Sequence, residues 1–423
     1  MRESHRQRSP SDRPTPEPRA PVQRPFHGNP LEVLAVAGRL GVRSFGGPIA
    51  HLGYFHEEYV IHRKWLDERL YADLVALCQM IPGPASSQLG IAIGMKRAGL
   101  LGGIAAWVGF TLPSAVALVV FALLVHGSGV TAAGWLHGLM VVAVAVVAQA
   151  VWSMARTLAA DAPRASIALA AAIVSVTLPS SVTQILLIVA GAVAGLAFLR
   201  SSAEGSVDPP VETGGVGRAA AVSCLVAFGV LLVGLPVLRS LTHSQWIAVI
   251  DSFYRSGSLV FGGGHVVLPL LQREVVPPGW ISNSTVLAGY GAAQAVPGPL
   301  FTFAAYLGAA FGPAPNGIVG AAVALAAIYL PSFLLVVGLL PIYGLLRSRR
   351  FVRAGLSGVN AAVVGILLSA LYTPVWTSAI LNPFDFALGL AAFLLLMVLK
   401  VRPWIIVVGG AIVGEVFGLV HLA

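Results

Sequence analysis

The chain has 423 residues, of which 57% are hydrophobic and 10% charged, and its mean hydropathy is +0.84. Soluble globular proteins carry about 25% charged residues, so this chain lacks the polar surface to dissolve, and a large water-soluble core is excluded. The formal charge of +9 comes from dispersed basic residues, which suits loops facing anionic lipid and gives poor support for nucleic-acid binding.

Residues 1–30, rich in proline and arginine, predict a disordered basic cytoplasmic tail. It has no signal-peptide pattern, so the first apolar segment is expected to stay in the mature protein. Apolar segments follow at about 31–55, 72–94, 100–126, 134–155, 164–180 and 183–200, of lengths that suit spanning helices. The polar stretch Ser201–Gly217 reads as a linker, followed by a lone apolar segment at about 218–238. Six more lie at about 246–270, 285–310, 317–345, 354–373, 380–399 and 403–421. Cys78 and Cys224 both fall in apolar segments and predict packing residues, not a disulfide or metal site.

The second six repeat the first. Phe45-Gly46-Gly47 answers Phe261-Gly262-Gly263, Trp65 answers Trp280, and Gln79 with Pro82-Gly83-Pro84 answers Gln294 with Pro297-Gly298-Pro299. Leu112-Pro113-Ser114 matches Leu330-Pro331-Ser332, and Gly191 and Gly195 match Gly410 and Gly414, all at offsets of 215 to 219 residues. The fold class expected is an all-α polytopic membrane protein. It has two inverted-topology repeats of about six helices, 31–200 and 245–423, joined through 201–244 with one extra helix. Inversion follows from the basic loops. Lys96, Arg97, Arg156 and Arg164 mark one side in the first half, whereas Arg347, Arg349, Arg350, Arg353, Lys400 and Arg402 fall at the opposite phase of the second. With the N-terminus cytoplasmic this gives thirteen crossings. Arg63, Lys64 and Arg69 disagree: either Asp67 and Glu68 offset them, or the first segment re-enters without crossing.

The breaks carry the chemistry. Proline lacks a donor and glycine tolerates unusual backbone shapes, so Pro-Gly-Pro in a membrane helix exposes polar backbone that protein or water must receive. Two such breaks at matching places point to a substrate site near the bilayer midplane. Glycine runs present consecutive N–H groups, which suits an anion without a formal positive charge. The candidate substrate-binding residues are therefore Arg43, Ser44, Gly46, Gly47, Gln79, Gly83, Ser86, Ser87, Gly262, Gly263, His265, Gln294, Gly298 and Thr302. Each has a plainer reading as well: glycines allow close helix contact, and hydroxyls bond their own helix. His51, Glu57 and Asp251 are candidates for proton coupling. No ATP-binding loop, nucleophile elbow or metal cluster appears, so neither an enzyme nor a cofactor is expected.

Taken together, Ser44-Phe45-Gly46-Gly47-Pro48, the Trp65 region, Pro82-Gly83-Pro84, Phe261-Gly262-Gly263-Gly264-His265-Val266-Val267-Leu268-Pro269 and Gln294-Ala295-Val296-Pro297-Gly298-Pro299 resemble the chromate ion transporter family in its long, two-domain form. The resemblance covers about 31–421. It implies a bacterial inner-membrane secondary transporter that exports chromate and confers resistance, with proton antiport as the coupling to test. Sulfate is the expected competitor, or, on the alternative reading, the substrate. A homodimer is allowed for. The resemblance supplies no ligand list, so the site residues rest on the reading of the breaks.

Overall fold

A computed structural model describes residues 28–45, 47–127, 134–199, 217–261, 264–342 and 350–422. The 1–27 part of the tail, the polar stretch 201–216, and Gly46, Gly262 and Gly263 lie outside the described residues. Every regular element among the described residues is helical.

The first helix, α1 (Pro30–Arg43), starts on Asn29, whose side chain accepts from Leu31 N at 2.9 Å, with proline at the position where a missing N–H costs nothing. Its Val33, Val36, Ala37, Leu40 and Gly41 recur at helical spacing and face inward. The helix stops at Ser44. After the glycines α2 (Gly47–His56) and a π-helical turn (Glu57–His62) carry the chain back to the end it came from. At that end Arg97 bonds Glu32 at 3.0 Å, Arg63 lies 3.8 Å from the same carboxylate, and both guanidiniums sit over the Trp65 ring. The second hairpin behaves alike. Asp67 caps α3 (Glu68–Met80), which runs inward to the Pro-Gly-Pro break. The start of α4 (Ala85–Gly127) then returns to Arg97, whose carbonyl accepts from Gly28 N at 2.9 Å. A kink at Ala98 and Gly99 redirects α4, and residues 100–127 run the full depth.

Arg63, Lys64 and Arg69 thus stand at the same end as Lys96 and Arg97. The alternative left open by the sequence resolves as re-entry, for the 72–94 segment as well as for 31–55.

The chain returns through α5 (Gly134–Leu158), α6 (Ala162–Thr177), α7 (Ser181–Phe198) and α8 (Arg218–Thr242). Then the hairpins recur: α9 (Gln245–Leu259) with α10 (Val267–Val275), and α11 (Asn283–Ala295) with α12 (Phe303–Ala310). Gly312 N donates to Trp280 O at 3.0 Å, and Arg273 donates to Ser175 O at 3.2 Å beside the α6–α7 turn. That turn is a helix length away from Arg164, so this second pair opens at the end opposite the first. The remaining helices are α13 (Gly317–Leu339), α14 (Arg350–Ala370, prolonged to Ala379), α15 (Pro383–Met397) and α16 (Pro403–Leu422). Among the described residues, five helices are long and apolar enough to cross a membrane by themselves. Four of the expected thirteen crossing segments, at about 31–55, 72–94, 246–270 and 285–310, turn back at their breaks.

The two halves are interlocked crosswise. Gly191 packs on Gly358 and Gly195 on Ala354, joining α7 to α14, while Gly410 packs on Gly138 and Gly414 on Gly134, joining α16 to α5. A methyl group on Gly191, Gly195 or Gly414 would strike the facing backbone, and one on Gly410 the Val142 side chain, which is how small residues let membrane helices approach closely.

Candidate functional site

The four breaks meet pairwise across the halves. Gly298 N donates to Ser44 O at 2.9 Å, and Gly83 N donates to Val260 O at 2.7 Å. Each Pro-Gly-Pro therefore satisfies the backbone just before the other half's glycine cluster. Gly83 and Gly298 hold φ of +124° and +101°, shapes that a side chain resists. The same crossing holds beside them: Gly83 lies against Ser332 of the second half and Gly298 against Ser114 of the first.

Next to the Gly298–Ser44 junction is a cavity of about 90 Å³, lined by Ser44, Gly47, Val146, Gln149, His265, Ala293, Gln294, Val296, Gly298, Leu300 and Pro403. Helix rise puts Ser44 about 20 Å in from Pro30 along α1, and Val146 about 18 Å in from Gly134 along α5, from the other end. The hydrocarbon core is about 30 Å thick, so the cavity sits at mid-depth. One water needs roughly 10–15 Å³ measured this way, so the space admits one small oxyanion or several waters. Among the described residues, Ser44 Oγ and Gln294 Nε2 are buried without a hydrogen-bond partner. Such groups cost about 1–3 kcal/mol each unless something receives them, which marks them as groups waiting for an acceptor. His265 Nδ1 shares a 2.8 Å hydrogen bond with the Tyr290 hydroxyl, which fixes its ring at the rim. The lining contains no carboxylate. Chemically this is a pocket of neutral donors, suited to a small anion stripped of its water.

The family profile described as Chromate transporter matches residues 31–196 and again 247–415. The chain belongs to the chromate transporter family. The chromate transport protein of Cupriavidus metallidurans is 28% identical over 396 residues, 90% of this chain and 92% of that one. That of Pseudomonas aeruginosa is 26% identical over 341 residues, covering 78% and 77%. A probable chromate transport protein of Synechococcus elongatus is 26% identical over 343 residues, covering 79% and 81%. No solved structure matches the chain.

Of the residues singled out from the sequence of this chromate transporter family member, Ser44, Gly47, His265, Gln294 and Gly298 line the cavity together. Gly83 forms the matching junction with Val260. Ser86 bonds His51 Nδ1 at 3.2 Å, and His51 Nε2 lies 3.1 Å from Ser44 O, so His51 braces the first break from behind. Ser87 lies 3.5 Å from the Tyr329 hydroxyl, and Thr302 donates to Pro299 O at 2.7 Å, closing the turn after the second break. Gln79 is exposed although its twin Gln294 lines the cavity, and Glu57 is exposed at the hairpin end near His62. Arg43 ends α1 with its side chain exposed and outside the cavity lining. Asp251 is fully buried but engaged: Arg255 binds it at 2.7 Å and Arg239 at 3.2 Å, with Glu274 completing the cluster 2.9 Å from Arg255. Sequence reasoning missed Gln149 and Pro403. Gln149 had a signal, an amide in the middle of an otherwise apolar segment. Pro403 had none, since its place depends on α16 crossing to the other half.

Proposed function

We propose that this protein moves chromate out of the cytoplasm across a bacterial inner membrane, holding the anion in the mid-depth cavity where the broken helices of the two halves meet. The observation that carries this is a pair of buried donors without a partner among the described residues, Ser44 Oγ and Gln294 Nε2, in a cavity whose lining has no carboxylate. A bare dianion in hydrocarbon would cost tens of kcal/mol, so a carrier must replace its water with donors. The relatives named as chromate transport proteins support this choice of substrate, and the neutral donors of the cavity support this choice of place.

Direction follows from charge. The end bearing Arg63, Lys64, Lys96 and Arg97 is assigned to the cytoplasm because basic residues collect there, which puts the N-terminus inside. Moving one charge through 100 mV is worth about 2.3 kcal/mol, so a dianion leaving a negative interior gains roughly 4–5 kcal/mol. The potential alone can drive export. Hairpins opening at opposite ends, joined backbone to backbone at mid-depth, suit alternating access in which one half rocks against the other. Everted vesicles with a potential and a pH gradient imposed separately test this. Chromate accumulation driven by an inside-positive potential, with sulfate competing, is the expected result. Sulfate accumulation without chromate transport would overturn the substrate, and chromate movement responding only to the pH gradient would overturn the driving force.

A further inference from the structure

The two halves differ on one helix face. On α9, the face carrying Asp251 and Arg255 is covered by α8: Arg239 bonds Asp251 at 3.2 Å and Ser252 at 3.1 Å, and the Tyr254 hydroxyl donates to Phe228 O at 3.0 Å. Arg255 is neutralised there by Asp251 and Glu274, at 2.7 and 2.9 Å. At the repeat offset of 216 residues, Arg255 falls on Arg39, Glu274 on Glu58 and Asp251 on Ala35. Ala35 has no carboxylate, and Glu58 is held by Arg63 at 2.6 Å. Among the described residues neither Arg39 nor Arg43, one turn further on, has an acidic partner.

Among the described residues no helix covers them as α8 covers α9. Leu31, Ala35, Arg39, Val42 and Arg43 are all exposed and make one open face of α1. Helix rise places Arg39 about 13 Å and Arg43 about 20 Å along from Pro30, at the threshold of Ser44. Arginines without partners at that depth are stable only where water reaches them, because such charges turn toward a water-filled cavity and away from lipid. The face runs from the basic end toward Ser44 at the cavity, and water along it would shelter both charges.

We infer that the oxyanion reaches the cavity from the basic end along this open face of α1, captured by Arg39 and passed by Arg43 to Ser44, while the equivalent path on the opposite side is sealed by α8 and the Arg239–Asp251–Arg255–Glu274 cluster. This rests on the transport reading above. Arg39 attracts the anion without burying it. It is a steering residue, with Lys able to replace it because only the charge matters.

The test uses the full chain in everted vesicles, measuring the initial rate at subsaturating chromate over a range of ionic strength. Arg39→Gln is expected to lower the rate about tenfold at low salt, the lower end of the range for electrostatic steering, and to converge with the unmodified protein at high salt, where steering is screened. Arg39→Lys is expected to restore the rate. A second measurement asks whether the face is wet: Arg39→Cys, in a chain with Cys78 and Cys224 replaced by serine, is treated with a charged, membrane-impermeant thiol reagent. It is expected to react from the basic side only, whereas Val230→Cys on the outer face of α8 stays unreactive. An Arg39→Gln rate equal to the unmodified one, a loss that persists unchanged at high salt, or an Arg39→Cys thiol that does not react would each overturn the inference alone. Absence of chromate transport by the unmodified protein would overturn the functional reading and this one with it.

Discussion

Replacing Gly298 by alanine strikes the junction where the second Pro-Gly-Pro meets the first half. Gly298 holds φ at +101°, and a Cβ there would lie 2.9 Å from Ser114 Oγ, 3.3 Å from Phe110 O and 3.4 Å from Gly41 O. Holding a side-chain-bearing residue in that backbone region costs about 1–3 kcal/mol. Forcing a methyl into a filled site costs a further 1–3 kcal/mol or so. The backbone relieves both by moving away, which breaks the 2.9 Å bond from Gly298 N to Ser44 O and deforms the wall of the cavity. Chromate transport should fall at least tenfold, since 1.4 kcal/mol at the site is already about a factor of ten. The control is Gly279→Ala, which shares a positive φ of +78° but has no atom within 4 Å of the added carbon. It should retain most activity. Adding Ser114→Ala to Gly298→Ala removes the closest collision and should recover part of the loss, leaving the backbone strain. The assays are vesicle transport and membrane abundance measured on the same preparations. If Gly298→Ala transports as well as Gly279→Ala, the junction does not shape the site and the reasoning fails.

Ser44→Ala and Gln294→Ala each remove one partnerless cavity donor and should weaken chromate transport by about five- to thirtyfold, the worth of one hydrogen bond of about 1–2 kcal/mol, while Gln79→Ala should be near neutral; equal effects at Gln79 and Gln294 would contradict the cavity. Arg255→Ala leaves the buried carboxylates Asp251 and Glu274 sharing the single guanidinium of Arg239, so a loss of about 3 kcal/mol is expected, read as poor membrane abundance and early thermal aggregation in detergent. Arg97→Ala breaks a half-exposed pair with Glu32 and should cost under about 1 kcal/mol by the same thermal measurement. Cysteines placed at Lys64 and Lys96 should both be labelled from one face of the membrane and one placed at Gly312 from the other; labelling of positions 64 and 96 from opposite faces would restore the thirteen-crossing topology.

Much of this protein is set by its sequence alone. Apolar length and scarce charge force a helical membrane protein, because only helices and closed barrels satisfy their own backbone in lipid. The matched series from Phe45-Gly46-Gly47 to Gly414 marks the duplication, and Pro-Gly-Pro marks where helices must break, since ring and missing donor act locally. What no local rule carries is which surfaces meet. Hydropathy reads a re-entrant hairpin and a crossing helix alike, so 72–94 passed for a span; only the contacts of Arg97 with Glu32 and Trp65 show that it returns. Gln79 and Gln294 are equivalent in sequence yet one is exposed and the other lines the cavity. Asp251, Arg239, Arg255 and Glu274 each look like lone charges until the fold brings them within bonding distance. Pairing across the halves, Gly298 to Ser44 and Gly83 to Val260, joins residues more than 170 positions apart, and such contacts exist only once both halves have folded against each other.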